Sequence, residues 1–234
     1  MLKNYKPIIG IIGIPSVDDE GDTFVALYTN YNNAILKKGG IPFMIAPFSD
    51  INYVDKKLSE IPELTEEEKK NYRDLVNMCD GLVIPGGYRI YNFAKYISEY
   101  AIERNIPILG ICMGMQTLAT VDNGHDCVAK NDTPINHRQK ENKYVHNVEI
   151  LENTLLSNIV EKQKIPVNSK HRYHVNNTKQ FIVSSYSEDG LIESIELPNK
   201  RFVIGIQWHP EKMLEYDESA NKIFDRFIRE CKES

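Results

Sequence analysis

Four cysteines, six histidines and 33 carboxylates stand among the 234 residues of this chain. Few of them occur at spacings that suit covalent chemistry. Gly110-Ile111-Cys112-Met113-Gly114 has the glycine-x-nucleophile-x-glycine form of a nucleophile elbow, at the end of an apolar run. The chain's composition gives roughly 0.01 chance matches to this form, so it stands out even though most free cysteines are buried small hydrophobes. A helix N-terminus or a neighbouring imidazolium favours the thiolate, and the elbow supplies the first. A thiolate also needs a base, and the base an orienting acceptor. Gln207-Trp208-His209-Pro210-Glu211 provides both, with His209 and Glu211 two residues apart. Read as an extended segment, this places both side chains on one side of the chain. Pro85-Gly86-Gly87 ends another apolar run. Acyl transfer there would need backbone N–H groups aimed at the oxyanion, and the amides of Gly87 and of Met113, which follows the nucleophile, are the candidates.

The elements that must carry these groups are legible from periodicity. Residues 8–14 read as a buried strand, and Phe24, Leu27, Tyr28, Tyr31 and Ile35 then recur at helical spacing until Gly39-Gly40. A second strand is expected over residues 41–46. Thr65 and Glu68 form a capping box for a helix through Leu75, Val76 and Cys79. Residues 47–64 are an irregular excursion. Strands at 81–84 and 107–111 flank a helix marked by Phe93, Ile97 and Ala101, so strands and helices alternate as in βαβ units of a parallel sheet covered on both faces. After a polar stretch from 122 to 143, apolar runs at 146–151, 181–186, 191–197 and 202–206 are joined by short turns, Asn199-Lys200 among them, and suggest antiparallel or mixed strands. Ala220, Ile223, Phe224, Phe227 and Ile228 mark a last amphipathic helix.

No linker or composition break divides the chain, and a single domain over 1–234 with one continuous core is expected. A formal net charge of −5 with basic residues scattered among acids argues against a nucleic-acid surface. The longest apolar runs are strand-length and Met1 is followed by Lys3 and Lys6, so neither a membrane span nor a signal peptide is expected, and a cytoplasmic protein follows. The cysteines show no C-x-x-C pair. His171 and His174 are three apart, but no Cys, His and carboxylate set has a zinc spacing, so neither metal nor organic cofactor is expected.

The three motifs, in this order, resemble the class I glutamine amidotransferase-like superfamily, and within it most closely the γ-glutamyl-γ-aminobutyrate hydrolase (peptidase C26) family. KPIIGI at Lys6, GGIPFMIAP at Gly39, DGLVIPGG at Asp80, IPILGICMGMQ at Ile106, VNSKH at Val167, EDGLIESIE at Glu188 and IGIQWHPE at Ile204 carry the resemblance along nearly the whole chain. It implies a flavodoxin-like α/β three-layer sandwich with a central, mostly parallel sheet and added antiparallel strands in the second half. It further implies a Cys112, His209 and Glu211 triad, an oxyanion hole of Gly87 and Met113, and a pocket near Gln116 and the Asn168, Ser169, His171 segment that binds a small γ-glutamyl compound. Thioester chemistry would release glutamate and an amine. Three departures touch the substrate side: Met113 stands where Arg is common, Tyr88-Arg89 follow PGG where an acid is usual two places on, and Arg172-Tyr173 replace His-Gln. Two other readings keep the fold: a glutaminase delivering ammonia to a synthetase partner, and a non-catalytic binding protein. Oligomeric state is left open.

Overall fold

The computed structural model describes residues 5–49, 51–57, 60–139 and 142–233. The remaining positions, which include the first four residues and parts of the 47–64 and 122–145 segments, lie outside the described residues. The first half builds β1 (Ile8–Ile12), a short ribbon of β2 (Ile14–Val17) and β3 (Thr23–Ala26), α1 (Thr29–Lys37) and β4 (Ile41–Ile45). It continues with α2 (Glu66–Asn77), β5 (Gly81–Ile84), α3 (Asn92–Glu103), β6 (Ile108–Ile111) and α4 (Met113–Asn123). The second half adds β7 (Val128–Lys130), β8 (His146–Ile150), α5 (Leu155–Val160), β9 (Lys164–Val167), β10 (Tyr173–Val175), β11 (Ile182–Ser187), β12 (Ile192–Glu196), β13 (Val203–Ile206) and α6 (Glu218–Lys232).

One sheet runs in the order β4-β1-β5-β6-β13-β12-β11-β8-β9, with β10 and β7 branching from β12. Pairing is parallel from β4 through β13 and antiparallel from β13 through β9. The central strands β5, β6 and β13 are buried at every residue because helices cover both faces, as their unbroken apolar runs require. Strand alternation sends Ile9, Ile11, Val83, Leu109 and Ile206 to one apolar cluster, with Tyr31 of α1 and Phe224 and Phe227 of α6. Leu82, Ile84, Ile108 and Val203 go to the other, with Tyr72, Phe93 and Leu118 of α2, α3 and α4. The core is therefore split in two by the sheet and is not the single continuous core that composition suggested.

The capping box at Thr65 and Glu68 is formed in both directions, and Asn199 takes the left-handed conformation (φ 69°) that the β12–β13 hairpin needs. One expected helix starts late. Phe24 belongs to β3, which pairs with β2 in register Ser16 to Phe24, and its side chain is exposed. Asp18 closes that hairpin by accepting the N–H groups of Glu20 and Asp22, so the local turn outcompetes the helical periodicity. The elements β7 and β10, of three residues each, have no apolar run that marked them in the sequence, and the six-residue α5 was not expected either. Among the described residues no helix is long and apolar enough to cross a membrane.

Candidate active site

Strand β6 runs into Cys112 at its carboxyl end, and the chain reverses there with φ 55° and ψ −105° before entering α4. A non-glycine residue in this region stores about 1–3 kcal/mol, so the surroundings must hold it. The Cys112 N–H donates to the Ile206 carbonyl at 2.7 Å, tying the elbow to β13. Close approach fixes the flanking glycines. A Cβ on Gly114 would lie 1.9 Å from the Ile84 carbonyl oxygen, and one on Gly110 would lie 2.8 Å from the Gly114 backbone.

Strand β13 delivers the second group. His209 follows Trp208, which is 1% exposed, and its backbone is clamped by one side chain: Asn168 Oδ1 accepts its N–H at 2.8 Å and Asn168 Nδ2 donates to its carbonyl at 2.9 Å. Residues 210–212 form a 3-10 turn, not the extended segment expected, and this turn swings Glu211 back so that His209 Nδ1 donates to Oε1 at 2.8 Å. The other side of the ring is hydrogen-bonded to the Cys112 thiol. Burial by itself would depress the imidazole, but Glu211 and the Cys112 sulfur outweigh it and push His209 up to about 10, which favours the imidazolium.

A further residue, Tyr31 of α1, was read from the sequence only as one of the positions recurring at helical spacing. Its hydroxyl accepts the Gly86 N–H at 2.8 Å and lies beside Glu211 and Cys112. Burial first, and then the Glu211 carboxylate, hold it protonated. With Gly86 so engaged, the remaining N–H of the Pro85-Gly86-Gly87 turn is that of Gly87. Neither this amide nor that of Met113, the first of α4, has a protein acceptor among the described residues. The two residues are neighbours, since a Cβ on Gly87 would come within 2.8 Å of Met113 Cε.

These groups open on a cavity of about 740 Å3, lined also by Tyr28, Tyr88, Gln116 and Tyr173. Arg89, Arg138, Lys170, Arg172 and Lys212 line it too, and among the described residues no carboxylate does. This basic lining was not foreseen, because its members come from four separate segments whose local sequence is unremarkably mixed in charge. Of the expected pocket residues, Gln116 lines the cavity and donates to the Tyr173 carbonyl at 2.9 Å and Gln207 Oε1 at 3.1 Å. Asn168 is committed to the His209 backbone, and Ser169 donates to the His137 carbonyl at 2.9 Å. His171 borders the cavity, but its imidazole is turned away toward Glu193.

The sheet order, the strained cysteine at the end of its central strand and the helices on both faces define a domain of the class I glutamine amidotransferase-like superfamily. The chain belongs to the Peptidase C26 family, which it matches over residues 91–211. A glutamine amidotransferase-like protein of Rickettsia prowazekii is 29% identical over 88% of this chain and 91% of its own length. The CTP synthase of Staphylococcus aureus is 30% identical over 95% of this chain and 44% of its own length, so the chain spans less than half of that enzyme. The glutaminase domain of Trypanosoma brucei CTP synthase with bound acivicin superimposes with a TM-score of 0.65, at 17% identity, over 98% of this chain and 95% of that domain.

Proposed function

We propose that the chain is a cysteine-nucleophile hydrolase that cleaves the γ-glutamyl amide bond of a small γ-glutamyl compound with an acidic amine half, such as γ-glutamyl-γ-aminobutyrate. The observation that carries this is the connected set of Cys112 at the elbow, His209 on its thiol and Glu211 on His209, facing a cavity beside two amides that have no acceptor among the described residues. The Cys112 thiolate attacks the γ-carbonyl carbon and the carbonyl oxygen becomes an oxyanion, held by the Gly87 and Met113 N–H groups. Imidazolium His209 gives its proton to the amine nitrogen as the C–N bond breaks, leaving a thioester. Water, losing a proton to His209, then attacks the thioester, and glutamate leaves as the thiolate re-forms. Met113 in the place of an Arg leaves this step intact, since only its backbone N–H is used.

The lining of five Lys and Arg side chains, with no carboxylate among the described residues, supports an anionic amine half over a polyamine. The four free thiols, Cys79, Cys112, Cys127 and Cys231, fit a reducing compartment such as the cytoplasm. A second reading, ammonia delivery from glutamine to a synthetase partner, is favoured by the identity to CTP synthase. Glutamate released by the purified chain from a panel of γ-glutamyl amines, γ-glutamyl peptides and glutamine separates the two. The hydrolase reading requires turnover of a γ-glutamyl amino acid by the chain alone, faster than of glutamine. Activity confined to glutamine, or appearing only with a partner, supports the glutaminase. Cys112→Ala should lower turnover by at least about 1,000-fold with an unchanged melting curve, and retained turnover sinks the assignment.

A further inference from the structure

Away from the thiol, four buried side chains from four segments converge on one point. His146 comes from β8, Glu193 from β12, His171 from the β9–β10 connection and His137 from the irregular segment before β8. The backbone brings them together: the His171 N–H donates to the His137 carbonyl at 3.0 Å, Arg138 bridges to Lys170, and His146 pairs with Val167. Each side chain is at most 1% exposed. Their ligand atoms all lie within 4.8 Å of one another.

The protonation pattern shows what is required between them. His146 Nδ1 donates to the Asn147 carbonyl at 3.1 Å and His171 Nδ1 to the Tyr173 carbonyl at 3.0 Å. A carbonyl only accepts, so both Nδ1 atoms donate; Asn131 Nδ2, 3.2 Å from His171 Nδ1, then has the His171 carbonyl as its acceptor at 3.3 Å, and in a ring with one hydrogen Nε2 is the lone pair. The two Nε2 atoms face Glu193 Oε1 at 3.5 and 3.4 Å, and His137 Nδ1 is 3.7 Å from the same oxygen and 3.1 Å from Ser169 Oγ. His146 Nε2, His171 Nε2 and both Glu193 oxygens have no hydrogen-bond partner. Such separations are long for charge-assisted hydrogen bonds, which run about 2.7–2.9 Å. They approach the edge of a tetrahedron with metal bonds of about 2.0–2.1 Å, which is about 3.3 Å.

We infer that His137 Nδ1, His146 Nε2, His171 Nε2 and Glu193 Oε1 form a four-coordinate site for a divalent first-row metal ion, Zn2+ by its donor set. The outer contacts match: His137 Nε2 is on Asp189 Oδ2 at 3.0 Å, so every ligating ring gives its second N–H to a carboxylate or a backbone carbonyl. Two carboxylates, Glu193 and Asp189, balance a 2+ charge. With all four positions taken by protein, the ion is structural. It holds the 168–173 stretch, where Asn168 clamps His209 and the Tyr173 carbonyl holds Gln116. The site is independent of the proposed amide chemistry.

The test uses Cys112→Ala protein, so that the active-site thiol does not compete for metal. After stripping with a chelator and dialysis against Zn2+ or Co2+, one ion per chain should survive gel filtration, the Co2+ form should show visible ligand-field bands of tetrahedral intensity, and the melting temperature should rise by about 5 °C or more. Glu193→Gln in the same background should lose at least nine-tenths of the bound metal, and Asp189→Asn should weaken binding about 10–100-fold. Failure of the Cys112→Ala protein to retain metal, or undiminished binding by folded Glu193→Gln, overturns the inference. Should Glu193→Gln fail to fold, the stoichiometry and Co2+ spectrum of the parent decide.

Discussion

The protonation of His209 follows from two contacts on one ring. Glu211 on Nδ1 and the Cys112 thiol on the other face raise it to about 10 against the effect of burial, so the imidazolium that must protonate the leaving amine persists through neutral pH and is lost as pH rises through about 10. The alkaline limb of a profile of kcat/KM against pH should accordingly fall only near 10. Replacing Glu211 by Gln removes the charge that supports the imidazolium, and the alkaline limb of the same profile should move down toward the ordinary histidine value; an unmoved limb would exclude Glu211 from this role. Asn168 acts through the His209 backbone. Asn168→Ala should lower kcat about 10–100-fold with KM changed less than about 3-fold, because the base is misplaced while the cavity lining is kept. A change confined to KM would return Asn168 to the substrate-binding role that its motif first suggested.

At the scale of elements, the site is the meeting of strand ends. Cys112 ends β6, Pro85-Gly86-Gly87 ends β5 and His209 follows β13, three strands adjacent in the sheet. The order of the strands in the sheet was not legible, but that each motif ends a strand was, because continuous apolar runs stop at residues that cannot continue a strand. The contacts within the elbow were less so. A glycine at 114 lets strand and helix approach closely, and the structure shows which strand is met: the missing Cβ leaves room for the Ile84 carbonyl of β5. Gly114→Ala should therefore cost at least about 3 kcal/mol in urea unfolding, beyond the roughly 0.5 kcal/mol or less of ordinary surface substitutions. The His209 to Glu211 contact shows the opposite case: the pairing was read correctly from an incorrect backbone, since a 3-10 turn brings the carboxylate to Nδ1 where an extended segment was expected.

Over the whole molecule, a net charge of −5 coexists with a cavity lined by five basic side chains, so the field at the cavity opposes the average. For an anionic γ-glutamyl substrate, Arg138→Glu with Arg172→Glu should raise KM at least about 10-fold, and wild-type KM should rise with salt; a neutral substrate such as glutamine should respond little to either. The sequence by itself determined the alternation of strands and helices, the parallel centre with antiparallel additions, and the Cys112, His209 and Glu211 set, because each depends on short-range periodicity or on motifs of five residues or fewer. Tertiary structure decided the rest: that Tyr31 secures Gly86, that Asn168 grips His209, that basic residues gather around one cavity, and that His137, His146, His171 and Glu193 meet. The reason is physical. Tyr31 and Gly86 are 55 positions apart and Asn168 and His209 are 41 apart, with no periodicity linking them, so only the pairing of distant strands places such polar atoms within reach of one another.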